Sequence, residues 1–392
     1  MKNILYISPS SSPFDVGYGG AQRSNLLLRA CTQVGEVDVI CFDDVPEDAN
    51  LYGARLLYAR PVPDEEVRIS RFEKIVRLFS AWKIENHYPI QRKKEQIVDG
   101  FVNKKHYDFI VTRYISWAVN TGLLKYSDRL VVDVDDSPVE SARNGVRLAK
   151  TIRNKIYMSF YTLMIDIAMR GFLRKVRISF FSNKKDADKY HAIYLPNVPF
   201  NEIDVTRLHR KFIKSGRILF VGDMTYAPNF MGIDHFLTYI YPKIESDVQL
   251  HIVGRPPLPE LIKKWSAYKG VSILGFVDDI VREYAEAEIV IVPIYFGAGT
   301  CIKVLEAMQM QRLLITTPVG ARGYYDFISP NREFLLANND EEFIGLLHEA
   351  LGNDSLQDKL STNAYVQIER HFSKSAFFNV VNEALHKKIE VY

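Results

Sequence analysis

Short apolar runs rich in β-branched residues alternate with amphipathic stretches of helical period along most of this 392-residue chain. Such runs occur at residues 4–8, 37–42, 108–112, 130–134 and 177–181, and again at 217–222, 248–254, 271–277, 289–294 and 313–318. Apolar strands that alternate with helices are typical of parallel sheets covered by helices on both faces. At this length the pattern predicts an α/β fold with two parallel-sheet domains.

A charged, Pro-bearing stretch at residues 195–216 separates the two halves of the pattern. We place the domain boundary there, which gives an N-terminal domain at residues 1–205 and a C-terminal domain at residues 206–371. The last stretch, residues 372–392, has a second apolar face. We therefore expect a C-terminal helix that packs back toward the N-terminal domain.

Composition and motif spacing exclude several classes of protein. Hydrophobic residues make up 47% of the chain and charged residues 25%, as in globular rather than disordered proteins. The longest run without Asp, Glu, Lys or Arg, residues 289–302, is shorter than a membrane-spanning helix requires, and residues 4–7 are too few for a signal peptide. The three cysteines lack CxxC spacing, and a net charge of +3 does not indicate a nucleic-acid partner. We expect a cytoplasmic protein.

Two stretches of the N-terminal half are basic and aromatic. Residues 68–105 contain ten Lys or Arg and four acidic residues, whereas residues 141–177 contain nine Lys or Arg and only one acidic residue, Asp166. These stretches are either solvated helix faces or a pair of helices that lies against anionic lipid headgroups. The uncharged run at residues 156–165 is too short to span a bilayer, so the second alternative predicts a peripheral membrane protein.

The segment at residues 289–323 carries the pattern most indicative of a binding site. A buried strand leads into a glycine turn at residues 297–299, after which Thr300 can cap a helix that runs to about Gln311. Glycines let backbone N–H groups approach a ligand closely, and the N-terminus of a helix carries a partial positive charge. The turn therefore suits an anion such as a diphosphate.

Lys303 and Glu306 are three residues apart on this predicted helix and share one face of it. The ammonium group of Lys303 can neutralise phosphate oxygens, and the carboxylate of Glu306 can accept two hydrogen bonds from a cis-diol such as ribose. The same pair also fits a surface helix with an ordinary ion pair. The spacing alone leaves both interpretations open.

The sequence FGAGTCIKVLEAM followed by TTPVGARGY resembles the donor-site signature of glycosyltransferase family 4. The segments ILFVGDMTYAPNFMGIDHF, LHIVGRPP and VSILGFVDDIVREY precede it in the family's order, and ILYISPSSSPFDVGYGGAQRSNLLLRA resembles the family's opening strand, glycine loop and helix. The resemblance implies the GT-B fold, in which two Rossmann-like domains with parallel sheets face each other across a cleft. The N-terminal domain would hold the acceptor and the C-terminal domain the nucleotide sugar.

The resemblance also implies an activity and its residues. A hexosyltransferase of this kind moves a sugar, with retention and without a metal or other cofactor, from a nucleotide-diphosphate sugar to a glycan or lipid-linked acceptor in polysaccharide or lipopolysaccharide synthesis. Glu306 matches the residue that holds the ribose, Lys303 a basic position near the phosphates, and Phe276 with Val277 the place of the nucleobase. The expected donor-binding residues are Gly19, Gly20, Gly222, Phe276, Val277, Gly297, Gly299, Thr300, Lys303, Glu306 and Arg322, and the expected catalytic residues are Lys303, Asp135 and Arg255.

Two departures from the family pattern bear on the donor site. Ala298 occupies the position of a second glutamate found in many members, and Asp223 replaces the arginine that commonly follows FVG. The positive charge that a departing diphosphate requires must then come from Lys303, with Arg255 or Arg322 as candidates.

Two loops contain either functional residues or ordinary helix caps. Asp135 follows a strand at the place where ligands bind in open α/β sheets, so it could orient a donor or acceptor hydroxyl. Asp136 or Ser137 could equally cap the next helix. Tyr226, Pro228 and Asn229 match a recurrent motif of the resembled branch, but asparagine at a helix start is also a common cap.

Three other functions are weighed against the transferase. A dehydrogenase is disfavoured because Gln22 replaces the third glycine of a dinucleotide motif. A GT-B sugar-nucleotide epimerase would convert its substrate without any acceptor. A degenerate GT-B protein would bind or assemble without catalysis, which the departures at Ala298 and Asp223 favour.

Overall fold

The structure is a computed structural model and describes residues 1–10, 13–14, 19–65, 80–199, 216–244, 247–297 and 299–386. The chain divides into two compact units, one formed by Met1–Phe200 with Lys374–Tyr392 and the other by Asn201–Ser373. The boundary expected between residues 205 and 206, residues 68–79 of the basic stretch at 68–105, and Ala298 lie outside the described residues.

The first unit contains a parallel sheet whose described strands follow the order β3-β2-β1-β4-β5-β6-β7. Its strands are β1 (Lys2–Ser8), β2 (Gly35–Cys41), β3 (Arg55–Ala59), β4 (Phe109–Arg113), β5 (Leu130–Asp135), β6 (Ile178–Phe181) and β7 (Ile193–Tyr194). Its helices are α1 (Gly19–Val34), α2 (Arg92–Val102), α3 (Ile115–Asn120), α4 (Pro138–Leu148), α5 (Ile152–Leu173) and α6 (Lys184–Tyr190). Every residue of the central strand β4 is buried, as expected for a sheet covered on both faces.

The second unit contains a parallel sheet whose described strands follow the order β10-β9-β8-β11-β12-β13. Its strands are β8 (Arg217–Val221), β9 (Gln249–Val253), β10 (Val271–Gly275), β11 (Ile289–Val292), β12 (Leu313–Thr316) and β13 (Leu335–Leu336). Its helices are α7 (Ala227–His235), α8 (Pro259–Trp265), α9 (Ile280–Glu286), α10 (Ile302–Gln309), α11 (Asp340–Ala350) and α12 (Asp354–His371). Both sheets thus share one doubly wound strand order.

The α/β fold with two parallel sheets is confirmed, and each of the ten apolar runs overlaps a strand. Three strands were not predicted. The strand β3, with the sequence RLLYA, lies at the edge of its sheet and is only partly buried. Its apolar run is short and contains no β-branched residue, so the pattern of the central strands did not identify it. The strands β7 and β13 are two residues long, too short to give a pattern.

The chain returns to the first unit with α13 (Lys374–His386), which packs against α1. Phe377, Val381 and Leu385 of α13 are buried. The guanidinium of Arg29 in α1 lies 5.6 Å from the ring centroid of Phe378, an additional cation–π contact between the two helices. The last described helix is therefore part of the core of the first unit.

Among the described residues, one helix, α5, has the length and apolar composition of a membrane-spanning helix. This helix contains no long uncharged run, because charged residues such as Lys155 and Asp166 divide its sequence. The expectation that no segment crosses a membrane stays a prediction. One face of α5 is nevertheless packed into the first unit through Ile165, Met169 and Phe172.

Candidate functional site

Most of the predicted donor residues of the second unit lie near the switch point of its sheet, whereas Phe276 and Val277 follow the edge strand β10. The strand order reverses between β8 and β11, and open α/β sheets bind ligands outside the carboxyl ends of their strands at such a point. Gly222 directly follows β8, whereas the glycine turn and α10 follow β11. The topology therefore brings together residues that are far apart in the sequence.

The glycine turn has a backbone that only glycine adopts without strain. Gly297 has a φ of 137° and Gly299 a φ of 72°. The guanidinium of Arg322 donates hydrogen bonds to the carbonyl oxygens of both glycines, at 2.8 Å to Gly297 and at 2.6 and 3.1 Å to Gly299. Arg322 therefore braces the turn, a role that the sequence did not predict, and its predicted contact with a phosphate stays a prediction.

The helix after the turn begins later and ends earlier than the sequence indicated. The residue at its N-cap is Cys301, with an extended backbone and without a side-chain cap, so the prediction that Thr300 caps this helix was wrong. The cause is the left-handed Gly299, which delays the first helical residue to Ile302. Gln311 also has a left-handed φ, of 53°, which is incompatible with a continued helix.

Lys303 lies in the first turn of α10, as predicted, and is held by Asn229, a residue of the recurrent motif named above. Its ammonium donates a hydrogen bond of 2.9 Å to the side-chain oxygen of Asn229 and lies 5.6 Å from the ring centroid of Phe220. The amide nitrogen of Asn229 donates in turn to the carbonyl oxygen of Asp223 at 2.8 Å. Asn229 is buried and thereby fixes the position of the ammonium group.

Two further observations concern the segment that contains Asn229. Tyr226 is the N-cap residue of α7, so the alternative that Asn229 is a helix cap was wrong. A Cβ at Gly222 would lie 3.0 Å from the amide nitrogen of Asn229 and 3.2 Å from Cε of Lys303. Gly222 therefore leaves the space in which these two side chains meet.

Glu306 follows Lys303 on the same face of α10 and is partly buried. Burial raises the pKa of its carboxyl group, while the nearby positive charge of Lys303 lowers it in part. Among the described residues the carboxylate has no hydrogen bond or ion pair, and the hydroxyl of Tyr284, which interacts with it electrostatically, is buried without a hydrogen-bond partner. Buried polar groups normally have partners, so this pair is suited to receive a ligand with hydroxyl groups.

The other predicted residues of the second unit are more exposed. The Nε atom of Arg255 lies 3.7 Å from a carboxylate oxygen of Asp223, so the residue that replaces the family's arginine also offsets part of the charge of Arg255. Phe276 follows the left-handed Gly275 at the end of β10 and is 74% exposed, whereas Val277 is partly buried. An exposed phenyl ring at this sheet edge is available to a ligand.

In the first unit, Gly19 and Gly20 begin α1, and the carbonyl oxygen of Gly20 accepts a hydrogen bond from Arg113. Asp135 ends β5 with a left-handed φ of 60°. One of its carboxylate oxygens lies 2.5 Å from a terminal nitrogen of Arg113, and the other lies 3.6 Å from Nε of Arg23. A hydroxyl that bound to Asp135 would therefore compete with two guanidinium groups.

Asp133 and Ser137, which lie close to Asp135 in the sequence, have structural roles. Asp133 is fully buried between Arg23 and Arg113, and these guanidinium groups hold its pKa below the usual range against the opposing effect of burial. Ser137 caps α4 by accepting a hydrogen bond from the backbone N–H of Val139, which confirms the helix-cap alternative for this residue. The charged cluster is thus a buried network that the sequence analysis did not anticipate.

Comparison with known proteins agrees with this architecture. Residues 215–353 match the family described as "Glycosyl transferases group 1". The chain is 23% identical to an "Uncharacterized 44.6 kDa protein in cps region" from Klebsiella pneumoniae, over 98% of this chain and all of that protein.

Three solved structures share the fold over nearly the whole chain. Sucrose-phosphate synthase from Thermosynechococcus elongatus is 15% identical over 97% of both chains, with a TM-score of 0.69. HepE from Anabaena, in complex with UDP, is 12% identical over 98% of this chain and 99% of its own, with a TM-score of 0.64. WaaG, a glycosyltransferase involved in lipopolysaccharide biosynthesis, is 14% identical over 97% of this chain and 98% of its own, with a TM-score of 0.58. The chain therefore has the GT-B fold, and within it residues 215–353 match the family described as "Glycosyl transferases group 1".

Proposed function

We propose that the protein is a retaining, metal-independent hexosyltransferase that moves a sugar from a nucleotide-diphosphate sugar to a glycan or lipid-linked acceptor. The observation that carries the proposal is the pair formed by Lys303 and Glu306 on one face of α10, directly after a left-handed glycine turn. The turn and the helix start suit a diphosphate, and the unpartnered carboxylate suits a ribose diol. HepE, a protein of the same fold, has been solved with UDP, which supports a nucleotide donor.

Lys303 would act on the leaving group. The bond between the anomeric carbon and the diphosphate breaks during transfer, and negative charge develops on the departing phosphate oxygens. In the absence of a metal, a preorganised ammonium group and backbone N–H groups must stabilise that charge. Asn229 keeps the ammonium in place, and Arg322 keeps the turn in shape. Arg255 would contribute positive charge to the extent that Asp223 leaves it available.

We place this activity in the cytoplasm, at the inner face of a membrane, and in the synthesis of a cell-surface polysaccharide or lipopolysaccharide. The basic, aromatic helices of the first unit support the membrane location, and the similarity in fold to WaaG supports the pathway class. The acceptor would bind mainly to the first unit.

The test is a thermal-shift screen of the full chain in EDTA against UDP, GDP, dTDP, CMP and NAD. A nucleotide at about 100 times its dissociation constant should stabilise the protein by roughly 2.7 kcal/mol. We expect one nucleoside diphosphate to raise Tm, Glu306→Ala to abolish the shift, and Glu349→Ala, an exposed glutamate on α11, to leave it unchanged.

A transfer assay with the matching nucleotide sugar follows the screen. Transfer or donor hydrolysis that depends on Lys303 would establish the enzyme, whereas conversion of the donor without an acceptor would indicate an epimerase. Nucleotide binding without turnover would identify a non-catalytic binding protein, and the absence of any nucleotide binding would refute the donor site.

A further inference from the structure

The helix α5 presents an exposed apolar stripe to solvent. Its members are between 41% and 79% exposed and follow at intervals of four, four, three and four residues: Ile152, Ile156, Phe160, Leu163 and Ile167. This spacing places them on one face of the helix, opposite the face that packs into the first unit. At about 1.5 Å per residue the stripe is roughly 22 Å long.

The same face continues into two arginines. Arg170 and Arg174 follow Ile167 at intervals of three and four residues, so they extend the stripe along the helix axis. They line a pocket of about 220 Å³ together with Leu173, Tyr190 and His191. The face of α5 therefore changes from apolar to cationic, at the place where a pocket opens.

The charges around this pocket favour an anion. The carboxylate of Asp166 accepts hydrogen bonds from Arg170, Lys189 and Tyr190, and although burial alone would raise its pKa, these bonds lower it to about 2. Its negative charge is thus already neutralised. The bond to Asp166 uses Nε of Arg170, and within the described part of the chain the side chain of Arg174 has no hydrogen bond or ion pair. Guanidinium groups with free N–H donors bind phosphate bidentately.

The surroundings favour a lipid surface as the partner. Residues 141–177 contain nine Lys or Arg and one acidic residue, and Arg153 and Lys155 flank the start of the stripe as Arg170 and Arg174 continue its end. An apolar face bordered by basic residues at both ends suits insertion among acyl chains beneath anionic headgroups. Because the opposite face of α5 is in the core of the first unit, the helix can insert one face without leaving the fold.

We propose that α5 lies in the headgroup layer of an anionic phospholipid bilayer, with its apolar stripe among the acyl chains and a lipid phosphate bound between Arg170 and Arg174. The inference rests on the membrane location proposed above and adds a defined helix face and a defined phosphate site. It predicts that binding depends on the chemistry of the headgroup and not on surface charge alone.

The test is vesicle flotation of the full chain with two kinds of anionic vesicle of equal surface charge. One kind contains phosphatidylglycerol, and the other contains a fatty acid, whose charge comes from a carboxylate. We expect Leu163→Gln to weaken binding to both by at least about tenfold, because an inserted apolar side chain is lost. Arg174→Lys keeps the charge but loses the fork of N–H donors that holds a phosphate bidentately, so it should weaken binding to phosphatidylglycerol vesicles about fivefold. A guanidinium also binds a carboxylate bidentately, but the carboxylate of a fatty acid is attached directly to its acyl chain and lies below the phosphate layer. The effect of Arg174→Lys on the fatty-acid vesicles should therefore be less than about twofold.

Lys175 provides the matched control, since it is the adjacent exposed cation and does not line the pocket. Lys175→Arg should leave binding to both kinds of vesicle unchanged. Lack of wild-type binding to phosphatidylglycerol vesicles, full binding by Leu163→Gln, or equal effects of Arg174→Lys on both vesicles would overturn the inference. A lipid-free dimer that Leu163→Gln converts to a monomer would show that a second copy covers the stripe and would overturn it as well.

Nucleotide binding separates this inference from the proposed activity. A nucleoside diphosphate should raise Tm equally in wild type, Leu163→Gln and Arg174→Lys, because these residues belong to the first unit and the donor residues on α10 to the second. Nucleotide binding without vesicle binding would leave the transferase proposal intact and remove the membrane site. Vesicle binding without nucleotide binding would leave the membrane site intact and remove the transferase proposal.

Discussion

Asn229→Ala tests whether the function of Lys303 depends on its being held in one position. The substitution removes the acceptor of the 2.9 Å hydrogen bond from the Lys303 ammonium and the donor to the carbonyl oxygen of Asp223. Net contributions of hydrogen bonds to charged groups begin at about 1.5 kcal/mol. We therefore expect Asn229→Ala to lower kcat about tenfold, and Lys303→Ala, which removes the charge itself, at least about a hundredfold.

The decisive measurement is a double-mutant cycle in the transfer assay. If Asn229 acts through Lys303, then Asn229→Ala should lower kcat less than about twofold once Lys303 is already alanine. The affinity for the nucleoside diphosphate should fall in Asn229→Ala, and the affinity for the corresponding nucleoside should not change, since in the proposed site only the phosphates would contact Lys303. Additive losses, or equal losses for diphosphate and nucleoside, would refute the positioning role and indicate general damage to the loop.

Three further predictions follow from single contacts. Gly299→Ala places a side chain on a backbone with a φ of 72° and should lower the free energy of unfolding by about 1 kcal/mol or more, as measured by denaturant titration; an unchanged value would contradict the strain argument. Because the pKa of Asp166 is lowered from 3.8 to about 2, its ionised form contributes about 2 kcal/mol of stability above pH 4, which is lost as the pH falls toward 2. Asp166→Asn should remove this part of the pH dependence of unfolding, and an identical profile would exclude the contribution. Since the pKa of Glu306 is raised, the affinity for the nucleoside diphosphate should weaken on acidification at a higher pH than an ordinary glutamate would cause, and Glu306→Gln should abolish that dependence in calorimetric titrations.

The sequence predicted the features that depend on local pattern. Buried strands such as β4 and β11 consist of consecutive apolar residues, so they are visible without a fold. The glycine turn and the position of Lys303 in the first turn of α10 likewise depend on a short stretch of the sequence. The exact start of α10 was missed because the backbone angle of Gly299, and not the capping propensity of Thr300, determines it.

The contacts that organise the candidate site are long-range and were out of reach of sequence patterns. Asn229 and Lys303 are 74 positions apart, and Arg322 contacts glycines 23 and 25 positions away. Arg23 of α1 and Arg113 of β4 both form ion pairs with Asp133. Each pairing exists only because parallel strands place their carboxyl ends at the same edge of a sheet.

The return of α13 to the first unit has a consequence for how the chain folds during synthesis. The first unit contains residues on both sides of Asn201–Ser373, so a ribosome must release the whole second unit before Phe377, Val381 and Leu385 can reach their places against the first. At about 5–20 residues per second, roughly 9 to 35 s separate the two parts of the first unit. During that interval the apolar surface of α1 that α13 later covers is open to chaperones or to aggregation, so expression at lower temperature or with a holdase should raise the yield of folded protein.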